Sequence, residues 1–151
     1  MIDFKFIGYT TPPSTVKVDP WRVKLFCQSI GEPNPIYWNE KVARAAGHRT
    51  CLIPPTFLKA LETEHFSSAA LLKILTIPMG KVLHAEQSFS FSGMVHVGDT
   101  VEISRTITDI YEKRGGAMIF IVIETNYRVD SVSIGKSIQT IMIRNDKALS
   151  A

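Results

Sequence analysis

Glu32, Asn34 and Tyr37 stand close together in the stretch GEPNPIY, separated by Pro33 and Pro35. A carboxylate can take or give a proton, an amide can orient a ligand, and a phenol can donate a hydrogen bond, so the trio has the groups for acid–base work on a small molecule. The two prolines fix their own φ and hold Glu32 and Asn34 extended, which sets the directions of all three side chains. Such stiffness suits a preorganised site, and it equally suits a tight connection between two helices in which Asn34 caps the next turn. A second proline pair, Pro54 and Pro55, precedes Thr56 at the start of a long helical pattern. There the helix dipole would place a free N–H toward an anion, and the threonine hydroxyl would serve as an N-cap. His84 and His96 fall at strand beginnings, where a hydrogen-bonded structural role is the ordinary one. His48 follows Gly47 in a loop, and His65 lies inside the helical pattern. No histidine has a partner at His-Glu-x-x-His spacing, and Cys27 and Cys51 match no metal or redox spacing, so no metal and two reduced, buried thiols are expected.

The elements that must position these groups can be read along the chain. Asp19 and Pro20 open a helix through Trp21, Val23, Leu25, Phe26 and Ile30, closed by Gly31, and Asn39 opens a shorter one closed by Gly47. The run PPTFLKALETEHFSSAALLKIL carries Phe57, Leu58, Leu61, Phe66, Ala69, Leu72 and Leu75 at helical spacing, which predicts one long buried helix. Beyond it the period changes to two. HAEQSFSF and three long runs after Thr100 read as antiparallel strands, broken at Gly115–Gly116 and near Asp130–Gly135. The apolar run Ile119–Ile123 suggests a central strand covered on both faces. The N-terminal MIDFKFIGY reads as a short strand or extended arm that ends at Pro12 and Pro13.

The 151 residues fit one domain, 1–151, of α+β class, with one long helix against an antiparallel sheet. With 45% hydrophobic and 21% charged residues the chain is globular, and no apolar run has the length of a membrane span. The net charge of +3 is spread along the chain, which disfavours nucleic acid as a partner. The N-terminus lacks a basic region followed by an apolar one, so a cytoplasmic location is expected.

With these motifs in place, the chain resembles the MaoC-like dehydratases of the hotdog fold, an antiparallel sheet wrapped around a long central helix, from about residue 5 to residue 145. It is most similar to the N-terminal, often non-catalytic half of two-part dehydratases and to the dehydratase region of fungal-type fatty acid synthase. The (R)-specific enoyl-CoA hydratases of the family carry Gly-Asp-x-Asn-Pro-aliphatic-His and a small residue downstream. Here the frame is Gly31-Glu32-Pro33-Asn34-Pro35-Ile36-Tyr37, with Ala43 at the small position. PPTF matches the start of the central helix, HAEQSFSF leads the first long strand, and VHVGDTV stands in place of a Pro-Val-x-x-Gly-Asp turn.

The resemblance implies a 3-hydroxyacyl-thioester dehydratase or enoyl-CoA hydratase that works without a cofactor on acyl-CoA or acyl-ACP. Glu32 and Tyr37 stand at the catalytic Asp and His positions, and Asn34, Pro55, Thr56 and His84 form the candidate substrate-binding set. The departures bear on activity. The extra methylene of Glu32 moves the carboxylate by roughly 1 Å, and a shift of that size can cost about 100-fold. A phenol near pKa ~10 is a poor substitute at neutral pH for an imidazole near ~6.5. Three readings follow: the substrate-binding half of an enzyme whose partner, a catalytic MaoC-like subunit, carries the intact Asp and His; a self-sufficient homodimeric hydratase using Glu32; or an inactive acyl-thioester binder. Each implies at least a dimer, since sheets of this family join edge to edge.

Overall fold

The computed structural model describes residues 3–64 and 68–145; His65, Phe66 and the last residues of the polar tail lie outside them. Five strands form one antiparallel sheet in the order β1-β3-β4-β5-β2. They are β1 (Ser14–Lys17), β2 (Val82–Phe91), β3 (Thr100–Lys113), β4 (Met118–Val129) and β5 (Val132–Arg144). The helices are α1 (Pro20–Ile30), α2 (Glu40–Ala45), α3 (Phe57–Leu61) and α4 (Ser68–Ile74). No described helix is long and apolar enough to cross a membrane.

α1 begins and ends where its sequence predicts. Pro20 occupies the first helical position and Gly31, at φ 68°, takes the left-handed conformation that closes it. Asp19 sits at the N-cap, but only its carbonyl takes part, accepting from Val23 N–H. α2 has a true side-chain cap: Asn39 Oδ1 accepts from Lys41 N–H at 3.1 Å and Val42 N–H at 3.4 Å. Asn39→Ala is therefore expected to cost about 1 kcal/mol, read as a lower urea midpoint at unchanged slope, with Asn39→Asp restoring it.

The N-terminal stretch, expected as a short strand or extended arm, begins instead with a 3-10 turn. Asp3 accepts from Lys5 N–H at 2.9 Å and caps a 3-10 turn at Phe4–Phe6. Bonding to β3 begins at Gly8, whose N–H donates to Ile107 O at 2.8 Å, and runs through the Thr10–Thr106 bridge, while β1 itself lies after Pro12 and Pro13, which cannot donate to a ladder. The β4–β5 turn falls within the expected break near Asp130–Gly135. It is made by Asp130 and Ser131, both at positive φ, while Gly135 lies inside β5.

The expected single long helix is two short ones. α3 ends at Leu61, residues 62–64 are turns, and α4 begins at Ser68. Past Leu61 other bonds replace the helical ladder: Thr63 Oγ1 donates to Ala60 O at 3.1 Å, Glu64 N–H donates to Leu61 O at 3.4 Å, and the Arg105 guanidinium, from the sheet, bonds the main-chain carbonyl of Glu62. The pleat of β4 is equally informative. Ile119, Ile121, Ile123, Thr125 and Tyr127 are buried while Phe120 and Val122 are half-buried, so one face is fully covered and the other only partly.

The covered face holds two apolar clusters. One gathers Val23 and Cys27 of α1, Phe57, Leu58 and Leu61 of α3 and Tyr127 of β4; the other gathers Leu71, Leu72 and Leu75 near α4 with Ile121 and Ile141. Register shifts at Ile107/Asp109 in β3 and His84/Glu86 in β2 interrupt the regular pairing of the sheet, as β-bulges do.

Candidate functional site

The proline-framed turn is built by its own side chains. As α1 ends, Glu32 N–H bonds Cys27 O at 2.9 Å. The Glu32 carboxylate then turns back to accept from Asn34 N–H at 2.9 Å, and Asn34 Oδ1 accepts from Ile36 N–H at 3.1 Å, capping the 3-10 turn Pro35–Tyr37. Asn39 N–H closes the turn on Pro35 O at 2.7 Å. Both polar residues before Tyr37 thus serve the turn that positions it.

Their surroundings separate them. Glu32 borders a cavity of about 320 Å³ with Lys24, Gln28, Pro33 and Trp38. Tyr37 borders another, of about 200 Å³, together with Pro55, Leu58 and Phe91. His84 borders a third, of about 310 Å³, beneath α4. Tyr37 and Pro55 therefore meet at one wall, Glu32 and His84 face elsewhere, and Asn34 is exposed in its turn. Burial pushes the Tyr37 phenol above its ordinary pKa, and the nearby Glu32 charge pushes the same way. At neutral pH Tyr37 is a hydrogen-bond donor and not a base.

Thr56 stands at the N-cap of α3 without a side-chain capping bond. The first helical N–H groups, of Phe57 and Leu58, are taken by Pro54 O at 2.9 Å and Pro55 O at 3.4 Å. The helix that follows has five residues, so its dipole is small. His96 lies in the turn before β3, where its N–H bonds Asp99 Oδ2 at 2.8 Å and its ring lies 5.7 Å from that of His48. Burial, then the charge of Arg49, lowers its pKa against the opposing pull of Asp99, which keeps the imidazole neutral.

Sequence reasoning missed the most densely connected polar group among the described residues. Glu62 and Arg105 are 3% and 4% exposed and pair across 3.4 Å between the helical layer and β3. The Tyr127 hydroxyl donates to Glu62 Oε1 and lies 3.0 Å from Ser137 Oγ, which donates to the same carboxylate oxygen over 3.2 Å. Lys59 Nζ reaches Glu62 Oε2 at 2.6 Å and Gln139 Oε1 at 3.0 Å. Burial, then the Glu62 charge, holds the Tyr127 phenol far above its ordinary pKa, so it stays a donor. The belt divides the two apolar clusters. Its signal in the sequence was a charge in an apolar phase: Val101, Ile103 and Ile107 alternate inward on β3, and Arg105 occupies the position between them.

Known proteins bear on this arrangement. The C-terminally truncated HadBC (3R-hydroxyacyl-ACP dehydratase) complex of Mycobacterium tuberculosis contains a chain that superposes with a TM-score of 0.79 at 18% identity, over 91% of this chain and 96% of that one. The ChsH1-ChsH2 complex of the same organism gives 0.73 at 18% identity, over 90% and 89%. At these identities the likeness shows a shared fold, that of the hotdog dehydratases. By sequence, a UPF0336 protein of Thermobifida fusca is 32% identical over 107 residues, 71% of this chain and 70% of the relative. The model of the FAS1-like dehydratase domain region matches residues 5–134, most of the chain's length, and the chain belongs to that family.

Proposed function

We propose that this chain is the substrate-binding half of a 3-hydroxyacyl-thioester dehydratase or enoyl-CoA hydratase of the cytoplasm, paired with a MaoC-like subunit that supplies the Asp and His. The overall reaction is the reversible syn addition of water to a trans-2-enoyl thioester: hydroxide to C3, a proton to C2. One observation carries the reading. The Glu32 carboxylate is bound to the amide of its own turn and borders a different cavity from Tyr37, whose phenol stays protonated. An acid–base couple needs two groups within reach of one substrate, with pKa values near the working pH. Here the frame of such a site remains while its proton-transfer groups are directed elsewhere. Two of the structural neighbours are two-component complexes, which supports the pairing.

The test is hydration of short and long trans-2-enoyl-CoA, followed by loss of the conjugated absorbance. The chain is assayed alone and co-purified with subunits of its own genome that carry an intact Gly-Asp-x-Asn-Pro-x-His. The pair is expected to exceed the chain alone by about 100-fold or more, the range supplied by positioned acid–base groups. Glu32→Gln should leave the pair's rate within about threefold, since the residue is held outside the proton transfer. Robust turnover by the chain alone, abolished by Glu32→Gln, would instead make Glu32 the base of a self-sufficient enzyme.

A further inference from the structure

The cavity beneath α4 is distinct from the proline-framed turn. Its walls include Leu71, Leu72, Ile123 and Ile141, and its polar groups are Arg105, Gln139 and His84. At about 310 Å³ it falls within the size range of small-molecule sites, with the usual pattern of apolar walls and few polar groups.

The Arg105 guanidinium, 4% exposed, stands on this wall. Arg105 and Lys59 both turn to Glu62, so two cations share one carboxylate. Among the described residues, the side-chain bonds of Arg105 all run through Nη2 to Glu62. An anion entering the cavity meets the Arg105 guanidinium on an otherwise largely apolar wall, the setting in which a charge-assisted hydrogen bond is strong. Such an anion must arrive on an aliphatic carrier to suit the leucine and isoleucine walls.

We infer that this cavity takes an aliphatic chain carrying a carboxylate, with the chain against Leu71, Leu72 and Ile141 and the carboxylate against Arg105 and Gln139. Resting on the acyl-thioester reading, this names the substrate class as thioesters of dicarboxylic acids. An Arg–carboxylate contact in a water-poor cavity is the strong, charge-assisted kind, so it selects against a methyl-ended chain, which would leave the guanidinium without that partner.

Calorimetric titration of the purified chain with octanoyl-CoA, the mono-CoA thioester of octanedioic acid, and free octanoate tests this. The carboxyl-ended thioester is expected to bind at least tenfold tighter than octanoyl-CoA. Arg105→Met should abolish that ratio, and Gln139→Leu, on the half-exposed rim, should cut it severalfold and carries the test if Arg105→Met fails to fold. Equal affinity for the two thioesters overturns the inference and leaves the acyl-thioester reading standing. Arg105-dependent binding of octanoate with neither thioester bound sustains the carboxylate site and overturns the thioester reading. Failure of all three ligands overturns both.

Discussion

Glu62→Leu is expected to destabilise the folded chain by about 3–5 kcal/mol, the range for removing one partner of a buried ion pair. Glu62 is 3% exposed and is the acceptor for Tyr127, Ser137 and Lys59 as well as the counterion of Arg105. Leucine would fill most of the volume, yet it would strand a guanidinium that is 4% exposed and leave the Tyr127 and Ser137 hydroxyls without their acceptor. The same argument gives the control. In Glu62→Leu/Arg105→Met the charge is removed with its counterion, and most of the loss should return, because apolar replacements of a buried pair are often neutral or better. Urea unfolding of the wild type, both single variants and the double variant measures the coupling. A single-variant loss below about 1 kcal/mol, or a double variant worse than the sum of the two singles, would show that the belt does not act as one electrostatic unit.

The belt also explains where the sequence was readable and where it was not. α1 was legible because its limits are local: Pro20 presets the first φ and Gly31 accepts a left-handed one, whatever the rest of the chain does. The long strands were legible because alternation along β3 and β4 records a single buried face. The division between α3 and α4 was not. The pattern from Phe57 to Leu75 is helical throughout, and the bonds that replace the ladder past Leu61 include one from a distant segment, Arg105 of β3 to the Glu62 carbonyl, which a local pattern does not record. The site divides in the same way. Pro33 and Pro35 announced a stiff turn, and the chain's family membership supports the frame around it. Which cavity each side chain meets depends on packing between distant segments: Pro55 and Phe91 come to Tyr37, while Lys24 and Gln28 come to Glu32. Residue types at fixed spacing carry no record of that.

Gly135→Ala should be the most damaging single-methyl change in the sheet, costing about 3 kcal/mol or more and lowering Tm by about 6–12 °C in a chain of this size. Gly135 lies within β5 at φ 150°, opposite Phe91 of β2 on one side and Tyr127 of β4 on the other. A Cβ built there would lie 2.5 Å from the Ser90 carbonyl oxygen and 3.2 Å from Phe91 Cα, so backbone and not a flexible side chain would have to move. The strand that moves is β2, at the edge of the sheet, and its end carries Phe91 in the wall of the Tyr37 cavity. Loss of stability should therefore be accompanied by faster amide exchange at Phe89–Phe91 and a change at that cavity, with β3 and β4 protected as before. Gly115→Ala separates conformational strain from collision. Its φ is 60°, no heavy atom lies within 4 Å of the added Cβ, and only the left-handed penalty of about 1–2 kcal/mol applies. Equal losses for the two variants would mean that β2 yields freely to the extra methyl. A larger loss confined to Gly135→Ala would mean that the β2–β5 contact is rigid, and that the position of Phe91 beside Tyr37 is fixed by a glycine on the neighbouring strand.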